Sequence, residues 1–483
     1  MKLRLITSMI AVAVCGMAPF VASAQIPDSM RDAVRKAVES NPDVQSSWHA
    51  FRAAENEQDA ARSGYLPRLD LGANVGRERL RRPNSPTDSF SISGTSLTLT
   101  QMLYDGFFTR SEVARFGHAR MVRYFELLED VENVALEAMR AYADVLRYRD
   151  LVRFAQENYV EHRMVYDRIV ERTRSGVGRG VDTELATGRL ALAESNLLTE
   201  VSNLHDVSAR FLRIVGDRPG EGLAALRDDV FKNALPADVS AALEQAYGRN
   251  PGLKAAVANI RSGQGLVDSR RSAFHPRVDL RLRQNNDHNL DGVRGTTREG
   301  VAEIVLNFNL YRGGGDQARL RQAAEQLNAA HDTRERVCRD LRQAVSISVN
   351  ENRVIEEQLA YLNQHQLSSA RAREAYRQQF DIGQRTLLDL LDGENEYFDA
   401  RRAHTNAYYN RLIAQAGTLA RTGALLETLG VARESLPTVS ELAGEETYVD
   451  AGSVCPPEAP EEMHIDKEAL FAEAMRATGD RRR

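Results

Sequence analysis

Between Gly117 and Gly176 run 58 consecutive residues without glycine or proline, and between Gly315 and Gly383 run 67. Wound into α-helices at 1.5 Å per residue, the two stretches reach about 85 and 100 Å. Helices of that length do not fit inside an ordinary globular domain. In the first, Val131, Val134, Ala138, Ala141, Val145, Tyr148, Val152, Ala155 and Tyr159 recur at alternating spacings of 3 and 4, the pattern of a coiled-coil seam. The alanines in that seam allow neighbouring helices to approach closely.

A plain filament would not explain what flanks these stretches. Asn41-Pro42 recurs as Asn250-Pro251, and Pro67-Arg68-Leu69-Asp70-Leu71 as Pro276-Arg277-Val278-Asp279-Leu280, both 209 residues later. Tyr104-Asp105-Gly106 recurs as Tyr311-Arg312-Gly313 at an offset of 207, and Gly178 as Gly383 at 205. Four landmarks in one order at nearly one offset mark a tandem duplication. The order of each half is a helix, a proline, two alternating segments, a glycine corner, a very long helix, a glycine turn and a further helix. The first repeat is assigned to residues 25–235 and the second to 236–430, after a leader at 1–24 and before a tail at 431–483.

The alternating segments predict four strands. Val278, Leu280 and Leu282 face one way, and Arg277, Asp279, Arg281 and Arg283 the other. Ile304, Leu306, Phe308 and Leu310 alternate against Asn307 and Asn309, and Leu69, Leu71, Ala73 and Val75 against Arg68, Asp70 and Asn74. The segment from Ser91 to Tyr104 alternates less cleanly. Polar loops, at about 81–88 and 285–299, join each pair. Strands of roughly ten residues, apolar outside and charged inside, suit a transmembrane barrel wall. Four strands are too few, because about eight is the usual minimum, so several copies must pool theirs.

Composition narrows the function. The 63 Lys+Arg against 68 Asp+Glu leave a formal charge of −5, without the basic excess of a nucleic-acid binder. A mean hydropathy of −0.43 excludes a polytopic helical membrane protein. Lys2 and Arg4, the apolar run Leu5 to Val21, and Ala22-Ser23-Ala24 before Gln25 read as a secretory signal peptide. Val14 before Cys15 argues against a lipid anchor. Of the remaining thiols, Cys338 falls in a long helical stretch and Cys455 in a proline-rich tail, and both are expected to be free.

The stretch Phe380-Asp381-Ile382-Gly383-Gln384-Arg385-Thr386-Leu387-Leu388-Asp389-Leu390-Leu391-Asp392 resembles the TolC family of outer-membrane export channels, and the resemblance extends over about residues 28–430. It implies a mixed α and β fold: a homotrimer whose protomers each give four strands to a twelve-stranded barrel, with coiled-coil helices forming a periplasmic tunnel. It also implies that Asp389 and Asp392 stand at the tunnel entrance, and that Phe380 and Arg385 help to close it. Independently, Asp389, Asp392, Glu396 and Asp399 step by 3, 4 and 3, which places four carboxylates on one helical face. Ringed around a narrow pore, such a stripe would gather cations and raise some carboxylate pKa values by mutual repulsion. Glu184, six residues after Gly178 as Asp389 is six after Gly383, is expected to link to Arg385. The turns with Gly176, Val177, Gly178 and Arg179, and with Asp381, Ile382, Gly383 and Gln384, resemble the tips that meet a periplasmic adaptor.

No zinc-protease motif, phosphate loop or nucleophile elbow is present, so neither catalysis nor a metal or cofactor is expected. The tail carries 12 acidic and 6 basic residues with Pro437, Pro456, Pro457 and Pro460, and reads as a flexible segment with a short helix near 465–475. The functional expectation is an exit duct for type I protein secretion, partnered by itself, an adaptor, an inner-membrane transporter of the ABC type and outer-membrane lipid. The alternatives are the outer-membrane part of a drug efflux pump and a periplasmic coiled-coil scaffold without a pore.

Overall fold

The computed structural model describes residues 29–83, 86–227, 229–431, 436–443, 455–456, 458 and 465–480. The expected signal peptide lies outside them. Each half delivers the expected order. The first has helices α1 (Met30–Ser40) and α2 (Pro42–Arg62), strands β1 (Arg68–Leu80) and β2 (Asp88–Tyr104), then α3 (Phe108–Arg174) and α4 (Gly180–Val215). The second repeats this with α5 (Val239–Arg249), α6 (Pro251–Arg271), β3 (Arg277–His288), β4 (Thr296–Asn307), α7 (Gly315–Asp381) and α8 (Leu387–Arg421). Three short helices follow: α9 (Leu425–Leu429), α10 (Val439–Ala443) and α11 (Lys467–Asp480).

The repeated Asn-Pro pairs are helix starts. Asn41 accepts a hydrogen bond from the Asp43 amide at 2.9 Å and Asn250 from the Leu253 amide at 3.0 Å, with proline at the first helical position. Each side-chain amide also donates to the end of a distant helix, Asn41 to the Ile214 carbonyl on α4 and Asn250 to the Arg421 carbonyl on α8. One residue type thus starts a helix and satisfies the orphaned end of another in both halves.

The strands form one antiparallel sheet ordered β1-β2-β3-β4. Its register aligns Leu69, Leu99, Leu282 and Ala302 on one face, beside Leu71 and Leu97. Leu71 and Ile304 are 77% and 69% exposed, so the apolar face is the uncovered one, as a lipid-facing wall requires. The opposite face carries Arg68, Asp70, Arg281, Arg283 and Glu303, with Arg281 3.6 Å from Glu303. Exposed Tyr65, Phe107, Phe274, Phe308 and Tyr311 cluster where strands give way to helices, the place of an interfacial aromatic belt. The second hairpin loop is shorter than expected, because Asn285–His288 and Thr296–Glu299 pair in register and Asn285 donates to Glu299 at 3.0 Å. Cross-strand polar bonding extends these strands past the end of their apolar alternation.

Below the sheet α3 and α7, 67 residues each, run its full depth as a palisade. In the lower half α4 packs on α3, α3 on α8 and α8 on α7. The main core, between α1, α2, α3, α4, α8 and α9, holds Phe51, Phe125, Tyr142, Phe211 and Leu412. The α3 seam holds from Val131 to Val145 and then passes to Leu151, Ala155, Asn158, His162 and Ile169, because a helix of 3.6 residues per turn drifts off a strict heptad.

The expectation that both thiols are free is overturned. Cys338 and Cys455 are joined in a disulfide across 117 residues, with Cα atoms 5.6 Å apart, inside a small core with Val239, Leu243, Tyr247, Leu341 and Val345. The described parts of the tail are also bound to the body: Tyr124 donates to the Pro437 carbonyl, Arg120 to that of Leu442 and Tyr247 to that of Pro456. Tyrosine and arginine donors far away in sequence hold the segment, which also packs Leu436, Val439 and Leu442 against the main core. The tail helix itself is present as α11.

Candidate gate and docking tips

The lower end of the palisade consists of two helical hairpins that reverse in five-residue turns, 175–179 and 382–386. Gly176 (φ +79°) and Gly383 (φ +77°) both adopt the left-handed backbone that ends a helix. Equivalence therefore runs from Gly176 to Gly383, an offset of 207, not from Gly178. Gly178 is required for a different reason: a Cβ there would lie 2.8 Å from the Thr173 backbone nitrogen.

This correction moves the acidic counterpart. Six residues beyond Gly383 is Asp389, at the third position of α8, and six beyond Gly176 is Asp182, at the third position of α4. Asp182 pairs with Arg179 at 3.0 Å. Glu184 is exposed, and among the described residues no ion pair joins it to Arg385. Arg385 instead donates to Gln379 at 2.9 Å, lies over the Tyr376 ring and stands 3.8 Å from Asp389.

Asp389 and Thr386 form a reciprocal capping box at the start of α8. The Thr386 hydroxyl and amide, with Arg385 behind them, hold the Asp389 carboxyl below the usual range. The other members of the stripe share one face and each has a partner: Asp392 pairs with Arg189 of the other hairpin, Glu396 lies 3.2 Å from the His365 imidazole, and Asp399 lies 3.7 Å from Arg402. Within one chain three of the four carboxylates, Asp389, Asp392 and Asp399, stand beside an arginine.

Phe380 is buried with Ile169, Ala186, Leu387, Leu390 and Leu391. It locks the two hairpins of one chain together, assisted at the surface by Arg168 to Asp381 at 3.0 Å. Val177 and Ile382 are exposed at the two turns, beside Gln384, so both tips present an apolar residue to the solvent.

A second polar cluster, which sequence reasoning missed, lies just above. Glu394 of α8 is buried and receives Arg377 at 2.9 Å and Arg373 at 3.5 Å from α7, and Arg377 also reaches Glu161 of α3. Burial holds the Glu394 carboxyl above its ordinary range even with both guanidiniums beside it. Its only sequence signal was a carboxylate on the apolar side of an amphipathic helix. Among the described residues no cluster of His, Cys, Asp or Glu could hold a metal, and no helix is long and apolar enough to cross a membrane.

The profile of the outer membrane efflux protein family matches residues 33–217 and 242–424, the two structural repeats. The chain is 25% identical to outer membrane efflux protein BepC of Brucella suis, over 83% of this chain and 86% of that one. It is 25% identical to outer membrane protein TolC of Escherichia coli, over 83% of each. It is 24% identical to alkaline protease secretion protein AprF of Pseudomonas aeruginosa, over 80% of this chain and 82% of that one. The crystal structure of the Campylobacter jejuni CmeC outer membrane channel superposes with a TM-score of 0.73 at 14% identity, covering 88% of this chain and 90% of that one. With both repeats matched and the sheet-and-palisade architecture shared, the chain belongs to the outer membrane efflux protein family: it is a non-enzymatic transport channel protein of the outer membrane.

Proposed function

We propose that three copies of this chain close into one duct that conducts an exported protein passively from a periplasmic adaptor and an ABC-type inner-membrane transporter to the cell exterior. The observation that carries the reading is the pair of open edges. In the sheet, β1 and β4 each have one side unpaired within the chain, and in the lower palisade α4 and α7 are the outermost helices. Bare strand edges demand a partner, and a second copy offers β1 to β4 and α4 to α7 at once. Three copies would bring four strands each to twelve.

Closure would also give Glu184 a role. It is exposed on the outermost helix α4, so the Arg385 to Glu184 link belongs between neighbouring copies. The exposed Val177 and Ile382 at the tips suit an apolar adaptor contact. Bulky substitution of Gly178 and Gly383 is expected to abolish export with assembly intact, and normal export would remove the adaptor assignment.

The Leu103-Tyr104-Asp105-Gly106 corner and a relative named for protease secretion favour protein cargo. A relative named for efflux favours small molecules as the second reading. Deleting the gene separates them: loss of one secreted protein with unchanged drug tolerance supports secretion, and drug hypersensitivity with normal secretion overturns it. Conductance of the purified protein in a planar bilayer tests the duct itself.

A further inference from the structure

On α7, Asn352 and Glu356 face α8 through Thr418 and Arg411, as Arg373 and Arg377 do through Glu394 in the same register three heptads lower. Tyr361 is nine residues beyond Asn352. At about 103° per residue in a heptad helix it stands on the side directly opposite α8, in one row with Ile347 two heptads above. Tyr361 is 62% exposed. On α4 the buried seam runs through Ala186, Leu190, Ala193, Glu200 and Val207, and Leu198 and Leu212, also two heptads apart, are turned away from it. Leu198 is 71% exposed.

These two rows are level. Tyr361 is 22 residues from Gly383 and Leu198 is 22 from Gly176, and Ile347 and Leu212 are each 36 from the same turns. Those separations correspond to heights of about 33 and 54 Å above the tips. Where copies adjoin, Tyr361 therefore meets the level of the next copy's Leu198, and Ile347 that of its Leu212.

The C-terminal helix sits at this place. Lys467 of α11 donates to the Tyr361 hydroxyl at 2.7 Å and covers its ring. Leu470, Phe471 and Met475 form one side of α11 and are all exposed, Phe471 by 63%, so this apolar side does not rest on its own α7. The disulfide fixes the same tail to α7 at Cys338, 23 residues or about 35 Å higher.

We infer that α11 is a strap between subunits: anchored by Cys338–Cys455 and by Lys467 on Tyr361, it lays Leu470 and Phe471 on the Leu198 and Val201 surface of the neighbouring copy. The inference rests on the closed-ring reading above, and the test separates the two. In the full chain, Phe471→Cys with Leu198→Cys, exposed to a short bismaleimide, is expected to give cross-linked oligomers on a denaturing gel. Ile347→Cys with Leu212→Cys reports the ring without the tail. Oligomers from the second pair but none from the first overturn the strap and leave the ring standing. No oligomers from either pair overturn both. Attachment of Phe471→Cys within its own chain, or to a co-expressed adaptor, overturns the strap in favour of that occupant. Adding Cys455→Ser is expected to cut the Phe471–Leu198 yield at least threefold without changing the Ile347–Leu212 yield, and an unchanged tail yield overturns the anchoring role of the disulfide.

Discussion

Glu132 is an acid placed where charge is expensive. It lies in the body of α3, buried, with its carboxyl pushed up to about 8 by that burial and only partly compensated by a backbone hydrogen bond from Leu426. The unfolded chain releases this proton near the ordinary 4.5, so stability falls as pH rises between roughly 4.5 and 8, by up to about 1.4 kcal/mol per unit, and changes no further above that. Glu132→Gln is expected to flatten this slope and to raise the melting temperature at pH 8, as followed by circular dichroism in detergent across a pH series. Asn41 and Asn250 carry a comparable burden by geometry. Alanine at either position removes a helix cap and leaves a distant carbonyl unbonded, for a loss of about 1–2 kcal/mol, and serine should restore part of it. Both asparagines could be found in the sequence as repeated landmarks, but their second bonds could not, because a donor reaching a carbonyl 171 or 173 residues away leaves no local pattern.

Among the elements, the lower hairpins divide into a tip that reads from sequence and an interior that does not. The glycine turns, the helix lengths and the one-sided row of Asp389, Asp392, Glu396 and Asp399 follow from spacing alone. Equivalence between the two turns does not, since Gly176 and Gly178 are both candidates until backbone geometry selects Gly176; that choice decides whether Glu184 or Asp182 is the positional counterpart of Asp389, and leaves open to test the link between copies proposed for Glu184. The Glu394 cluster escaped because its cations come from another helix. Removing one of them has a clear consequence: Arg377→Ala leaves Glu394 less compensated and frees Glu161, at a cost of about 2–4 kcal/mol. Hydrogen exchange should show faster opening of 157–165 and 390–398, with the sheet unaffected. At the tip itself Arg385→Glu is expected to raise single-channel conductance by loosening the proposed contact between copies, and an unchanged conductance would count against that contact.

At the scale of the whole molecule, duplication, strand number and palisade were all legible, because each rests on periodicity or on repeated landmarks. The placement of the tail was not. A bond between residues 117 apart cannot be inferred from two isolated cysteines, one of them within a helix. Cys338→Ser with Cys455→Ser is expected to lower stability by about 2–5 kcal/mol and to speed hydrogen exchange in α11, with reductant doing the same to the unsubstituted protein. The two bare sheet margins, β1 and β4, have a further consequence. In the closed-ring reading proposed above, a solitary polypeptide of this kind is an unfinished object with adhesive flanks, and its last folding step is meeting others like itself. Its maturation should therefore slow with dilution and yield to wrong pairings when crowded, so that timely encounter, more than the speed of any helix, decides how much usable protein a cell obtains.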